Sequence, residues 1–133
     1  MAIHIGIDVG SVSINTALFS DNPEDAGCLR RLTEDHGFQP ARMIQDGSGG
    51  QGWLSVGPYL RIAGTPAVQA HATLERLLSV IDPGALGSVA GTGAGAQMLA
   101  REFQVEPVSE VRVVARAVES LLPSVRTLFE IGG

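Results

Sequence analysis

This chain has no lysine, and all nine of its Lys and Arg positions are Arg. A Walker-type phosphate loop and Schiff-base catalysis both need a lysine amine, so the sequence excludes both mechanisms. The net charge of −5 at pH 7 adds a second restriction. This acidic balance argues against a nucleic-acid-binding surface, which neutralises phosphates with many cations.

Cysteine is scarce as well, since Cys28 is the only one. A single Cys excludes an internal disulfide and a Cys cluster within these residues, and it suits a reducing compartment. No apolar run approaches the roughly 18 residues that a membrane-spanning helix requires. The N-terminus has no basic region followed by an apolar signal core. We therefore expect a soluble protein of the cytoplasm.

The composition is that of a chain with a packed core. Of its 133 residues, 44% are hydrophobic and 17% are charged, which is unlike a disordered chain. The length fits one domain or part of a larger one.

The most informative stretch is GIDVGSVSINTALF, residues 6–19. Before and after the sequence Asp8-Val9-Gly10-Ser11, the residues follow the period-two pattern of strands, which predicts a β-hairpin. Such a turn can offer backbone N–H groups, a hydroxyl and one carboxylate to a phosphate and its metal ion. The alternative is an ordinary hairpin turn, where Asp and Gly are favoured in any case.

Local patterns predict the remaining elements. Residues 20–52 are interpreted as an insertion that is flexible in part, because the loop at 46–52 is rich in Gly and Ser. Residues 53–62 are favoured as the third sheet strand, near an edge because they contain a Pro. The other predicted strands cover residues 28–34, 86–90 and 125–131, and the predicted helices cover residues 66–81, 95–103 and 110–122.

The helix predictions rest on caps and apolar faces. Thr65 and Ser109 are candidate N-caps, and Pro66 suits a first helical position. His71 falls on an apolar face, which favours a packed histidine over a catalytic base. The predicted apolar faces are Ala67, His71, Leu74, Leu78 and Ile81 in the first helix, and Val111, Val114, Ala115, Val118 and Leu122 in the last.

A glycine-rich turn, Gly91-Thr92-Gly93-Ala94-Gly95, follows the predicted strand 86–90. It is similar to the start of a dinucleotide-binding pattern, but it lies in the middle of the chain and lacks a clear acidic residue downstream. The interpretation we favour is a turn whose glycines let a strand and a helix pack closely.

Two stretches carry a family resemblance: GIDVGSVSINTALF and SEVRVVARAVESLLPSVRTLFEIGG, residues 109–133. Together, with the glycine turn between them, they resemble the N-terminal half of the activator ATPases of 2-hydroxyacyl-CoA dehydratases and benzoyl-CoA reductases. This is the BadF/BadG/BcrA/BcrD-type family of the acetate kinase–sugar kinase–Hsp70–actin superfamily. The resemblance covers nearly the whole chain except residues 20–52.

The resemblance assigns roles to individual residues. Asp8 matches the catalytic acid of the first motif, which helps to hold Mg²⁺ and the attacking water. Glu130 matches the first acid of the second phosphate motif, where the family usually has Asp. Val12 stands where Thr is common, and Asn15 stands where many members have Lys. The residues implied to bind the nucleotide phosphates are Gly10, Ser11, Val12, Ser13, Glu130, Gly132 and Gly133.

The resemblance also implies a fold and ligands. The fold is α/β and ribonuclease-H-like, with a mixed five-stranded sheet whose first three strands are antiparallel and whose later strands are parallel, and with helices on both faces. Residues 1–133 would form the N-terminal actin-like lobe of a larger two-lobe protein. ATP or ADP with Mg²⁺ would bind between the lobes, and a [4Fe-4S] cluster would lie only beyond this segment.

The implied activity is ATP hydrolysis that drives electron transfer. The expected partners are the protein's own C-terminal lobe and an acyl-CoA dehydratase or reductase, with a homodimer possible and with no nucleic acid or membrane. We expect little ATPase activity from the chain alone. Two alternatives stay open: a lobe of a sugar- or acid-kinase-like phosphotransferase, and a non-catalytic regulatory or docking domain of the same fold.

Overall fold

A computed structural model describes residues 2–45 and 49–131 of the chain. These residues form a mixed α/β fold around one open sheet of seven strands. The strands are β1 (Ile3–Val9), β2 (Ser13–Ser20), β3 (Arg42–Gln45), β4 (Gln51–Val56), β5 (Leu60–Arg61), β6 (Leu86–Thr92) and β7 (Glu106–Pro107). The helices are α1 (Ala26–His36), α2 (Pro66–Val80), α3 (Ala96–Phe103) and α4 (Glu110–Leu121), and a 3₁₀ turn covers Pro23–Asp25.

The strand order across the sheet is β3-β4-β2-β1-β6-β7, with β5 also paired to β2. The four strands β1 to β4 pair antiparallel in the order β3-β4-β2-β1. The pairs β1–β6 and β6–β7 are parallel, and helical crossovers connect these strands, as parallel pairing requires. The prediction of antiparallel strands followed by parallel ones is confirmed, but the predicted count of five is wrong for the described residues.

One face of the central hairpin carries the hydrophobic core. Alternate residues of β1 and β2 are buried, as the period of two in the sequence predicts. Helices α1, α2 and α3 all contribute to this single core. The buried residues that form it are Ile3, Ile5, Ile7, Val9, Ile14, Leu18, Leu29, Leu32, Phe38, Ala70, Leu74, Leu77, Ile81, Leu99 and Val105.

The segment predicted as an insertion contains a helix where a strand was predicted. Residues 28–34 lie inside α1, which buries Leu29 and Leu32 in the core. Asn22 accepts a hydrogen bond from the N–H of Glu24 just before the helix, and Gly37 ends it in the left-handed region at φ 72°. The strand in this segment is instead β3, at residues that were not predicted to form one, and residues 46–48 of the predicted loop lie outside the described residues.

The predicted third strand is two strands. Residues 53–62 fall on β4 and β5, which are separated at Gly57-Pro58-Tyr59 and both pair with β2. Thr16 requires a glycine at this break, because a Cβ on Gly57 would lie 2.0 Å from the Thr16 hydroxyl. The edge position predicted for this segment is wrong for β4, which lies between β3 and β2, but among the described residues it holds for β5, which pairs with β2 alone.

Helix α2 is confirmed, but its buried face is rotated from the predicted one. Ala70, Thr73, Leu74 and Leu77 are buried, whereas Ala67 and His71 are only partly buried. Thr65 occupies the predicted N-cap position, but its side chain makes no capping hydrogen bond. By contrast, Ser109 caps α4 as predicted, because its Oγ accepts a hydrogen bond of 3.3 Å from the N–H of Arg112.

The C-terminal part departs most from the sequence prediction. Residues 125–131 were predicted to form a strand, but they have no regular structure and are exposed. The strand that follows β6 in the sheet is instead β7, whose neighbour Val108 donates its N–H to the Gly91 carbonyl at 2.7 Å. Helix α4 is present but has no buried residue, so the core lies on one sheet face.

None of the helices in the described ranges has both the length and the apolar character needed to cross a membrane.

Candidate functional site

The turn between β1 and β2 lies at the carboxyl end of β1. Val9 pairs with Ile14, and the N–H of Gly10 donates to the Ser13 carbonyl at 3.0 Å, which closes the turn. Ser11 and Val12 occupy the exposed tip. Among the described residues, no hydrogen bond engages the N–H groups of these two residues. The anion-binding groups offered by the turn are therefore the amides of Ser11 and Val12, whereas the Gly10 amide is already used.

Asp8 stands on the sheet face opposite the hydrophobic core. It is half-buried, next to Asn15 across the antiparallel pair and Thr92 across the parallel pair. The Asn15 amide donates to the Ser13 hydroxyl at 3.3 Å. The side chains of these three residues thus meet at one end of the sheet, beside the exposed turn.

The glycine-rich segment after β6 packs directly onto this end of β1. The Gly95 N–H donates to the Val9 carbonyl at 3.0 Å. Gly93 has φ 85°, and a Cβ there would lie 2.4 Å from the Val9 carbonyl oxygen and 2.6 Å from Oδ1 of Asp8. Only a glycine fits this position without displacing the strand or the carboxylate. The interpretation of the glycines as a closely packed strand-to-helix turn is therefore confirmed.

A cleft of about 970 Å³ opens above the hairpin turn. This volume lies within the range of roughly 300–1,000 Å³ that is usual for small-molecule sites. The hairpin turn lines it, and so do the apolar stripe of α4 and the segment that follows this helix. The lining residues are Asp8, Gly10, Ser11, Val12, Ser13, Tyr59, Ala94, Glu110, Val111, Val114, Ala115, Val118, Val125, Arg126, Thr127, Leu128 and Glu130.

Glu130 reaches the same cleft as Asp8, although the two residues stand at opposite ends of the sequence. Among the described residues that line the cleft, Glu110 is a third carboxylate and Arg126 is the one basic residue. A polyanion would be repelled by this set of charges unless a cation neutralised them. The donor set of the cleft is thus suited to an anion that arrives with a divalent cation.

The described residues hold no group of three or more His, Cys, Asp or Glu side chains that could bind a metal by themselves. Mg²⁺ does not need such a group, because one or two carboxylates together with substrate phosphates are its usual protein site. Asp8 with the Ser11 hydroxyl and the neighbouring amides fits Mg²⁺ carried by a phosphate. A [4Fe-4S] cluster does not fit these residues, since Cys28 is a single thiol packed against the core.

The structure thus brings most of the predicted site residues together. Asp8, the four turn residues and Glu130 all line one cleft, while Gly132 and Gly133 lie outside the described residues. His71 lies elsewhere, with its ring against Phe103 at a centroid distance of 4.6 Å and its nitrogens 3.5 Å from Glu75 and 3.8 Å from Glu102.

Sequence reasoning missed three features of the site. Thr92 and Gly93 were assigned only to a turn, and the apolar face of α4 was predicted without any link to the site. For Thr92 and Gly93 the signal was the position of the glycine turn directly after a strand, which places it at the carboxyl edge of a parallel sheet, where ligands commonly bind.

Compared with models of known protein families and with curated protein sequences, the chain gives no match.

Proposed function

We propose that this chain is the phosphate-binding lobe of an ATP-hydrolysing protein and has a ribonuclease-H-like fold. The observation that carries the proposal is the joint position of Asp8, the unengaged amides of Ser11 and Val12, and Glu130 on one cleft. These are residues to which the resemblance assigns the metal and the phosphates. They come from the two ends of the sequence, so their meeting depends on the whole fold.

The topology supports the same proposal. Antiparallel strands β1, β2 and β4 lead into the parallel strands β6 and β7, which is the arrangement that the resemblance implies for the sheet. Strand β3 is an additional edge strand from the segment that the resemblance does not cover. The cleft lies outside the carboxyl ends of β1 and β6, where open α/β sheets commonly bind ligands.

Each side chain has a definite part in this proposal. The Asp8 carboxylate binds the cation and orients the attacking water, and the amides of Ser11 and Val12 donate to phosphate oxygens. Bound Mg²⁺ would supply charge neutralisation to the transferring phosphoryl group. Arg126 would offset part of the carboxylate charge of the cleft.

The physiological role proposed for the whole protein is ATP-driven electron transfer to an acyl-CoA dehydratase or reductase. This part rests on the family resemblance alone. A second lobe would cover the wall formed by α4, and the absence of any buried residue from this helix supports such a partner.

The phosphate site can be tested by ¹H–¹⁵N NMR titration with ADP and Mg²⁺. The amide signals of Ser11 and Val12 should shift, and the Gly10 signal should shift less because its N–H already donates to Ser13. Asp8→Asn should remove the Mg²⁺-dependent part of the shifts while leaving the protein folded, because the two side chains have nearly the same shape. Shifts confined to regions outside the hairpin, or no shifts at millimolar nucleotide, would contradict the proposal.

A further inference from the structure

Thr92 carries a buried hydroxyl that the free protein does not use. The residue is only 9% exposed, and its Oγ1 has no hydrogen-bond partner among the described residues. Most buried side-chain polar atoms in folded proteins have a partner, and an unpaired one destabilises the fold. A buried hydroxyl without a partner therefore calls for a physical explanation.

The position of Thr92 points to Asp8. Thr92 ends β6 and is paired in register with Asp8 on the neighbouring parallel strand, so both side chains stand on the same sheet face. The next residue, Gly93, passes so close to Asp8 that a Cβ would lie 2.6 Å from its Oδ1. One oxygen of the Asp8 carboxylate thus lies close to Gly93, the residue that follows the one with the unpaired hydroxyl.

We propose that Thr92 is a positioning residue for Asp8: its hydroxyl donates a hydrogen bond to the Asp8 carboxylate when that carboxylate binds the cation that accompanies a phosphate. This inference rests on the proposed function. A cation fixes one carboxylate oxygen and leaves the other to accept a hydrogen bond. Carboxylates that ligate metals are commonly held by such hydrogen bonds. The free protein carries the cost of the unpaired hydroxyl, and the bound state removes it.

The inference predicts opposite effects of Thr92→Val on stability and on cation binding. Val has the shape of Thr without the hydroxyl, so the unfolding midpoint of the ligand-free protein should stay unchanged or rise. The affinity for Mn²⁺ with ADP, measured from the electron paramagnetic resonance signal of free Mn²⁺, should fall about tenfold, as is typical for loss of a group that orients a metal ligand. Thr92→Ser keeps the hydroxyl and should bind Mn²⁺ with ADP nearly as the wild type does.

Thr73→Val is the matched control. Thr73 is also buried, but its hydroxyl donates to the Gln69 carbonyl at 2.8 Å inside α2. This variant should lower the unfolding midpoint and leave Mn²⁺ binding unchanged.

Three results would overturn the role of Thr92. They are a lowered midpoint for Thr92→Val like that of the control, an unchanged affinity for Mn²⁺ with ADP, and an equal loss of affinity in Thr92→Ser. A wild-type protein that binds no Mn²⁺ with ADP would overturn the proposed function itself, and the role of Thr92 with it.

Discussion

Gly93→Ala should destabilise the protein far more than Gly64→Ala, although both glycines have positive φ. Gly93 has φ 85° and Gly64 has φ 98°. Both substitutions place an L side chain in the left-handed region, at about 1–2 kcal/mol. Reduced freedom of the unfolded chain offsets roughly 0.4–1 kcal/mol of this. The backbone term alone therefore predicts a loss of roughly 0–1.6 kcal/mol for each substitution.

The surroundings of the two glycines differ. A Cβ at Gly64 meets nothing within 4 Å, whereas at Gly93 it lies 2.4 Å from the Val9 carbonyl oxygen. The clash is with backbone, so the loop must move, at about 1–3 kcal/mol. The hydrogen bond of 3.0 Å from the Gly95 N–H to the same carbonyl is then lost or weakened, which adds about 1 kcal/mol. The total for Gly93→Ala is roughly 2–5.5 kcal/mol.

Equilibrium unfolding in urea separates the two cases. With an m-value of about 1.5 kcal/mol/M, Gly93→Ala should lower the midpoint by about 2 M and Gly64→Ala by about 0.5 M. Equal midpoints for the two variants, at unchanged m-values, would refute the packing of the glycine loop onto β1. They would also remove the structural basis for placing Asp8 beside the end of β6.

Three further predictions concern the rest of the fold. Ser109→Ala removes a helix cap worth about 1 kcal/mol. Because α4 has no buried residue, amide hydrogen exchange should become faster in this helix, while the global unfolding midpoint should stay nearly constant. Leu74→Ala, at a side chain with 0% exposure, should cost about 2–5 kcal/mol, whereas Val68→Ala on the exposed side of α2 should change stability by less than about 0.5 kcal/mol. Ser20→Ala removes the hydroxyl that donates to buried Asp25 and should cost about 2 kcal/mol. Urea midpoints check the last two, and an additive effect of Ser20→Ala and Asp25→Ala would contradict the pairing.

The elements that could be predicted from the sequence are those specified by local patterns. The period of two in β1 and β2, and the apolar spacing with flanking Pro or Gly around α2 and α3, are visible in the residues themselves. The signals for α1 were also present: Asn22 precedes it, Gly37 follows it, and Leu29 and Leu32 have the i, i+3 spacing of one helix face. The β-forming appearance of residues 28–34 was wrongly given more weight than these caps.

Other features depend on tertiary structure and leave no local pattern. Strand β7 has two residues, too few for any periodicity, and exists because its backbone pairs with β6. The face of α2 that becomes buried depends on the angle at which the helix meets the sheet, so Ala70 and Leu77 are buried instead of Ala67 and Leu78. For the site, the residues Asp8, Ser11 and Glu130 could be chosen from motifs, whereas the role of Thr92 depends on the register between β1 and β6.

Glu130 lies at the cleft although the strand that was predicted to carry it there is not formed. Residues 125–131 were predicted to reach the site as a strand, but a strand forms only where a sheet edge offers hydrogen bonds. In the described part of the sheet, β7 takes the place beside β6, and residues 125–131 have no regular structure and are exposed, with Phe129 at 87% and Ile131 at 96% exposure. Glu130 nevertheless lines the cleft with Asp8. Its position in the cleft therefore does not depend on strand pairing, and a partner that packs on the α4 stripe, which lines the same cleft, would act on the surroundings of the two carboxylates.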